Sequence, residues 1–161
     1  MRKLMNKLME ITLLGLFVFS LAALAPTPGY AQHNPLMGAW KVTEYTNPGQ
    51  PTVTNVQPGL YVFSEKHYSA VRIQGAKPLP PYPSNDVATD ADKVAVFNAL
   101  YMNTGAYTVS GNKLTTMPQV AKSAFAMAAG RKTEYEFTIS GNTLTLAQKP
   151  EGPVVKFVRV E

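Results

Sequence analysis

Two stretches, "YTVSGNKLTT" at Tyr107–Thr116 and "FTISGNTLTL" at Phe137–Leu146, read nearly alike. Each places a Gly-Asn pair, Gly111-Asn112 and Gly141-Asn142, between segments in which apolar and polar residues alternate. Glycine at the first position of a two-residue loop suits a type II′ turn, so both stretches are expected to be tight β-hairpins. That turn sets Val109 opposite Leu114 and Tyr107 opposite Thr116, then Ile139 opposite Leu144 and Phe137 opposite Leu146. Each hairpin presents one apolar face to a core and one polar face to water.

The same alternation, broken by Gly, Pro and Asn, extends outward in both directions. Eight strands are expected: Met37–Thr46, Leu60–Ser64, His67–Ile73, Thr104–Ser110, Lys113–Met117, Lys132–Ser140, Thr143–Gln148 and Val154–Val160. Two segments interrupt the meander. "GAKPLPPYPSN" (Gly75–Asn85) has the prolines of a semi-rigid loop, and "TDADKVAVFNALY" (Thr89–Tyr101) reads as a short amphipathic helix. Thr89 and Asp92 have the spacing of a capping box, and Val94, Phe97 and Tyr101 are expected to form its apolar face, a lid or plug for the core. Pro118–Gly130, rich in alanine, is expected to form a second short helix or to cross a barrel opening, with Gly130 as a C-cap.

The fold class is therefore all-β, an eight-stranded antiparallel up-and-down barrel with one or two short helices; an open two-sheet sandwich is the alternative. Closure removes exposed strand edges. An interior of this size is either filled by side chains or holds one small ligand.

At the N-terminus, Arg2, Lys3 and Lys7 precede the apolar run "ITLLGLFVFSLAALA" (Ile11–Ala25). A basic start and a run shorter than the roughly 20 residues of a membrane span point to a secretory signal peptide. Cleavage after Ala31 is expected in preference to Ala25, which proline follows, giving a signal over 1–31 and one domain over 32–161. An uncleaved anchor is the alternative. The protein is accordingly expected to be periplasmic or extracellular. It has no cysteine, so packing alone stabilises it. Without the signal, twelve Lys and Arg face nine Asp and Glu, a net charge of +3 with no dense basic run, which speaks against nucleic-acid binding.

Catalytic and metal-binding signatures are missing from the sequence. His33 and His67 have no ligand or nucleophile spacing around them, and Asp86, Asp90 and Asp92 sit where carboxylates cap a helix. No catalytic residue, metal or cofactor is assigned. The candidate binding residues follow from strand parity. Glu44 shares a side with Trp40 and Val42, and Arg72 shares one with Tyr68 and Ala70, so an internal Glu44–Arg72 ion pair is one arrangement, and both at a watery barrel mouth is the other. Tyr61, Phe63, Tyr68, Tyr107, Tyr135 and Phe137, with Phe97, Tyr101, Phe125 and Met127 from the irregular segments, either line a pocket or fill the barrel.

The stretch "GAW" (Gly38–Trp40) at the start of the first strand and Arg159 in "KFVRVE" at the end of the last resemble the lipocalin and lipocalin-like pattern. "GLYVFSEKHYSAVRI", "TGAYTVSGNKL" and "EYEFTISGNTLTL" are similar to strands of small bacterial lipocalin-like domains. The Thr-Asp-Tyr motif of larger lipocalins is absent, and the insertion Gln74–Asn103 is long. The resemblance implies that Gly38, Trp40 and Arg159 are structural, closing the barrel floor by cation–π contact. It further implies binding of a small apolar or amphipathic molecule. A filled-core interaction protein of the envelope, or an isomerase, cyclase or hydrolase on the same scaffold, are the other functions it leaves open.

Overall fold

The computed structural model describes residues 34–161 except 80, 83 and 85; the expected signal peptide and His33 lie outside the described residues. Eight strands form one closed barrel in sequence order: β1 (Gly38–Thr46), β2 (Gly59–Phe63), β3 (His67–Ile73), β4 (Leu100–Ser110), β5 (Lys113–Ala121), β6 (Thr133–Ser140), β7 (Thr143–Lys149) and β8 (Val154–Arg159). Every neighbouring pair is antiparallel, including β8 with β1. The barrel is thus the expected one rather than the sandwich.

Both quoted hairpins have the expected register, Val109 against Leu114 and Ile139 against Leu144. Gly111 and Gly141 adopt φ of +59° and +55°, and no other residue type among the described residues has positive φ. That is the signature of a type II′ turn, positive at its first position alone.

These turns also fix which end of the barrel is simple. The Ser64–Lys66, Gly111-Asn112 and Gly141-Asn142 connections and both chain ends of the domain lie at one end, the floor. All four longer connections lie at the other: 47–58, 74–99, 122–132 and 150–153. At the floor, Leu36 is completely buried and its carbonyl accepts a 2.7 Å hydrogen bond from Trp40 Nε1. Trp40, Phe63, Tyr107, Leu114, Leu144 and Phe157 pack into one cluster with it. Burying each such side chain stabilises by about 1.5–3 kcal/mol.

The irregular segments differ from expectation. Helix α1 (Asp90–Ala99) has the capping box, with Thr89 and Asp92 bonded reciprocally, but buries no residue. Val94 and Phe97 are more than half exposed, and Tyr101 belongs to β4. The expected apolar face is therefore split between two elements, and the helix is not a plug. Its last turn is tied to the rim instead, through Gln74 N to Ala99 O and Lys122 Nζ to the carbonyls of Phe97 and Asn98. Pro118–Ala121 continues β5 past a bulge, and only Ala124–Met127 is helical, as a 3-10 turn with Phe125 exposed.

Candidate functional site

The site is built at the rim from a cation that strand β3 turns inward. Tyr68, Ala70 and Arg72 alternate along β3 as expected, and Arg72 is only 8% exposed. Its neighbour across the ladder on β2 is Gly59, with Tyr101 on β4 at the other side. A Cβ on Gly59 would lie 2.7 Å from Arg72 Cβ and 2.8 Å from Val42 Cγ2. The missing side chain leaves Arg72 a passage across β2 to β1, where its guanidinium carbon sits 4.0 Å from the centre of the Tyr45 ring. Tyr101 lies on another side, 5.1 Å away.

The expected Glu44–Arg72 pair is not formed. A β-bulge between Val42 and Glu44 adds one residue to β1, so Glu44 aligns with Lys156 and Tyr45 with Val155. One extra residue reverses the parity of everything after it. Glu44 consequently faces outward and pairs with Lys156 at 2.8 Å, and Tyr45 takes the inward place that simple alternation assigns to Glu44. Among the described residues Arg72 has no carboxylate partner, and its Nε, closed off from solvent, has no hydrogen-bond partner. Among the described residues this is therefore a buried guanidinium with no anionic partner.

Beneath Arg72 lies a shell of phenols. Tyr61 and Tyr101 are stacked with ring centres 6.5 Å apart, and Tyr61 packs on Phe157 at 4.8 Å. Burial raises Tyr61 far above its ordinary range, Tyr101 adds to the shift, and the charge and hydrogen bonding of the adjacent Arg72 oppose it without cancelling it. Burial likewise pushes Tyr68 up to about 12 and holds Tyr135 well above the usual phenol range. These hydroxyls therefore stay neutral and supply no internal counter-ion. Tyr68 donates a 2.5 Å hydrogen bond to Asn103, a buried amide that the sequence reading missed. Continuing the alternation of Tyr107 and Gly105 back along β4 would have turned both Asn103 and Tyr101 inward.

Two cavities meet at Arg72. One, of about 220 Å³, lies under the 47–58 connection and is lined by Val42, Tyr45, Val53, Val56, Arg72 and Ile73 among others. The second, open and about 790 Å³, shares Val56, Gln57, Arg72 and Ile73 and runs over Pro58, Leu60, Val71 and Val160 on the outer wall. Of the other candidates, Phe63, Tyr107 and Phe137 are buried in the core cluster. Tyr107 is anchored toward the floor, donating to Ser64 O and accepting from Asn34 Nδ2, each at 2.5 Å. Phe97 stands apart on α1, beside Lys122. No grouping of His, Cys, Asp or Glu suited to a metal occurs among the described residues.

At the floor, the Arg159 guanidinium lies 4.1 Å over the Trp40 ring and donates to Met37 O at 2.6 Å and Pro35 O at 2.9 Å. Gly38 has φ of +120°, and a Cβ there would fall 2.7 Å from Arg159 Nη1 and against Glu161 O.

No protein-family model matches the chain, and no curated protein matches it significantly. Two solved structures are similar in fold. A lipocalin-like protein from Bacteroides uniformis is 17% identical, with 77% of this chain and 97% of that one covered and a TM-score of 0.47. An uncharacterized protein from Bacteroides eggerthii is 12% identical, with 77% and 98% covered and a TM-score of 0.45. The assignment of fold rests on this chain's own topology: a closed, eight-stranded, up-and-down barrel, which fits a lipocalin-like fold.

Proposed function

We propose that this protein is a secreted or periplasmic binding protein that takes a small amphipathic molecule at the open end of its barrel. The observation that carries this reading is the pair of cavities that share Arg72 near the rim, one beneath the 47–58 connection with a mixed polar and apolar lining and one running over aliphatic side chains of the wall. Such a concave, apolar site with a few convergent polar groups is the usual form of a small-molecule site. Secretion is supported by the basic start and apolar run before Ala31. Among the described residues no helix is long and apolar enough to cross a membrane.

Native mass spectrometry of the protein recovered from its own host tests both parts. The expected result is a chain beginning at Gln32 that carries a small non-covalent adduct, lost on denaturation. A uniformly ligand-free mass would overturn the binding reading, and a chain retaining residues 1–31 would overturn cleavage.

One observation favours a second reading, an interaction protein with a filled barrel. Leu60 and Val62 on β2, Val71 on β3, Val158 on β8 and Val160 just after it are exposed on the outer wall, and exposed apolar surface marks association sites. On that reading the recovered protein is ligand-free and sediments as a complex.

A further inference from the structure

We propose that Arg72 receives the head of a singly charged carboxylic acid, whose apolar tail lies along Val56, Pro58, Leu60, Val71 and Val160. This inference rests on the binding reading above and deepens it by naming the ligand's chemistry.

Three features of the site converge on an anion. First, the cation is more than nine-tenths buried and its Nε is without a partner. A buried donor left unpaired is costly, so natural sites of this kind are completed by an acceptor. Second, Tyr45 and Tyr101 contact the guanidinium through their ring faces, at 4.0 Å and 5.1 Å, and its polar neighbour Tyr61 is a neutral hydroxyl that carries no charge to match it. A cation–π contact uses the charge and leaves the in-plane N–H donors free. Third, Gly59 leaves the inner face of β2 open where a Cβ would lie 2.7 Å from Arg72 Cβ and 2.8 Å from Val42 Cγ2, and the Arg72 side chain passes there to reach Tyr45.

The class of anion follows from charge and size. Among the described residues Arg72 is the only Lys or Arg lining the inner cavity of about 220 Å³, so one negative charge is matched there and two are not. A planar guanidinium presents paired donors that fit the two oxygens of a carboxylate. The open cavity that shares Arg72 continues over aliphatic side chains, which suits an apolar tail and offers nothing to a second polar group except Lys41 and Gln57.

Octanoate and 1-octanol, alike in tail and different in head, are the probes, titrated calorimetrically into the domain. The expected result is that octanoate binds at least about tenfold more tightly than octanol, the ordinary worth of a charge-assisted hydrogen bond. Arg72→Gln should bring the two to equal affinity, and Arg72→Lys should retain part of the preference. Equal binding of both probes by the wild-type protein overturns the anion inference while leaving the binding reading intact. Loss of the preference in Lys41→Gln instead of Arg72→Gln also overturns it. Binding of neither probe overturns it too, and the native mass then decides the binding reading separately. Should Arg72→Gln fail to fold, the wild-type preference and the Arg72→Lys titration still decide the outcome.

Discussion

The two ends of this barrel use the same residue for opposite purposes. At the floor, Arg159 stacks on Trp40 and gives its N–H donors to the carbonyls of Pro35 and Met37. At the rim, Arg72 stacks on Tyr45, yet its Nε finds no acceptor. Each stands beside a glycine that a side chain would spoil, Gly38 below and Gly59 above. The difference lies in what the chain brings to the cation. The segment 34–37 crosses the floor and supplies backbone acceptors, whereas the rim is spanned by connections that leave cavities. An arginine whose donors meet backbone carbonyls closes a structure; one with a donor left over keeps the means to take up an anion.

The largest expected effect concerns the floor alone. Trp40→Ala removes a completely buried indole and should cost about 3–5 kcal/mol in urea unfolding. A double-mutant cycle of Trp40→Ala with Arg159→Ala should show coupling of about 0.5–2 kcal/mol, because the cation–π contact is lost once and not twice. Additive losses would remove the floor half of the comparison.

Next comes a difference of sign. Arg159→Met leaves the carbonyls of Pro35 and Met37 without their donor and should destabilise by about 2–3 kcal/mol. Arg72→Met removes an uncompensated buried charge and should raise stability of the ligand-free protein by about 1 kcal/mol. Residues kept for binding commonly cost stability in this way. If both substitutions destabilise equally, Arg72 is as structural as Arg159 and the comparison fails.

Between the two arginines lie the buried phenols of Tyr61, Tyr68 and Tyr135, whose folded-state pKa values are all raised. Their contribution to stability is complete below the unfolded value near 10. It falls as pH rises toward the folded values, Tyr68 at about 12, since the unfolded chain loses protons that the folded one keeps. Urea unfolding at pH 9, 10 and 11 should therefore show stability declining above 10, by up to about 1.4 kcal/mol per pH unit for each such phenol. A flat profile would mean that these hydroxyls reach solvent.

How far the molecule was legible in its sequence divides along the same axis. Turn chemistry is local, so Gly111-Asn112 and Gly141-Asn142 dictated their hairpins and, with the alternation around them, the barrel. The rim depends on departures from regularity. Tyr101 was read into a helix because Val94, Phe97 and Tyr101 happen to share helical spacing, although the parity of β4 already placed it inside. Tyr45 was missed for a stronger reason: the bulge after Val42 leaves no mark in residue type, and parity counted through it points to Glu44. Arg72 was found because β3 is regular throughout; its lack of a partner was not, because that depends on where β1 turns Glu44.

The smallest effect tests that last step. With Glu44 on the outer face, its contact with Lys156 is a partly exposed ion pair, and Glu44→Gln should cost only about 0.5 kcal/mol. More telling is what it should leave alone. If Glu44 neutralised Arg72, removing its charge would strengthen octanoate binding by freeing the guanidinium, and the gain would persist at high salt. With the bulge in place, the octanoate affinity of Glu44→Gln should equal that of the wild type, and any gain would return Glu44 to the lumen and give Arg72 the partner that Arg159 has found in the backbone.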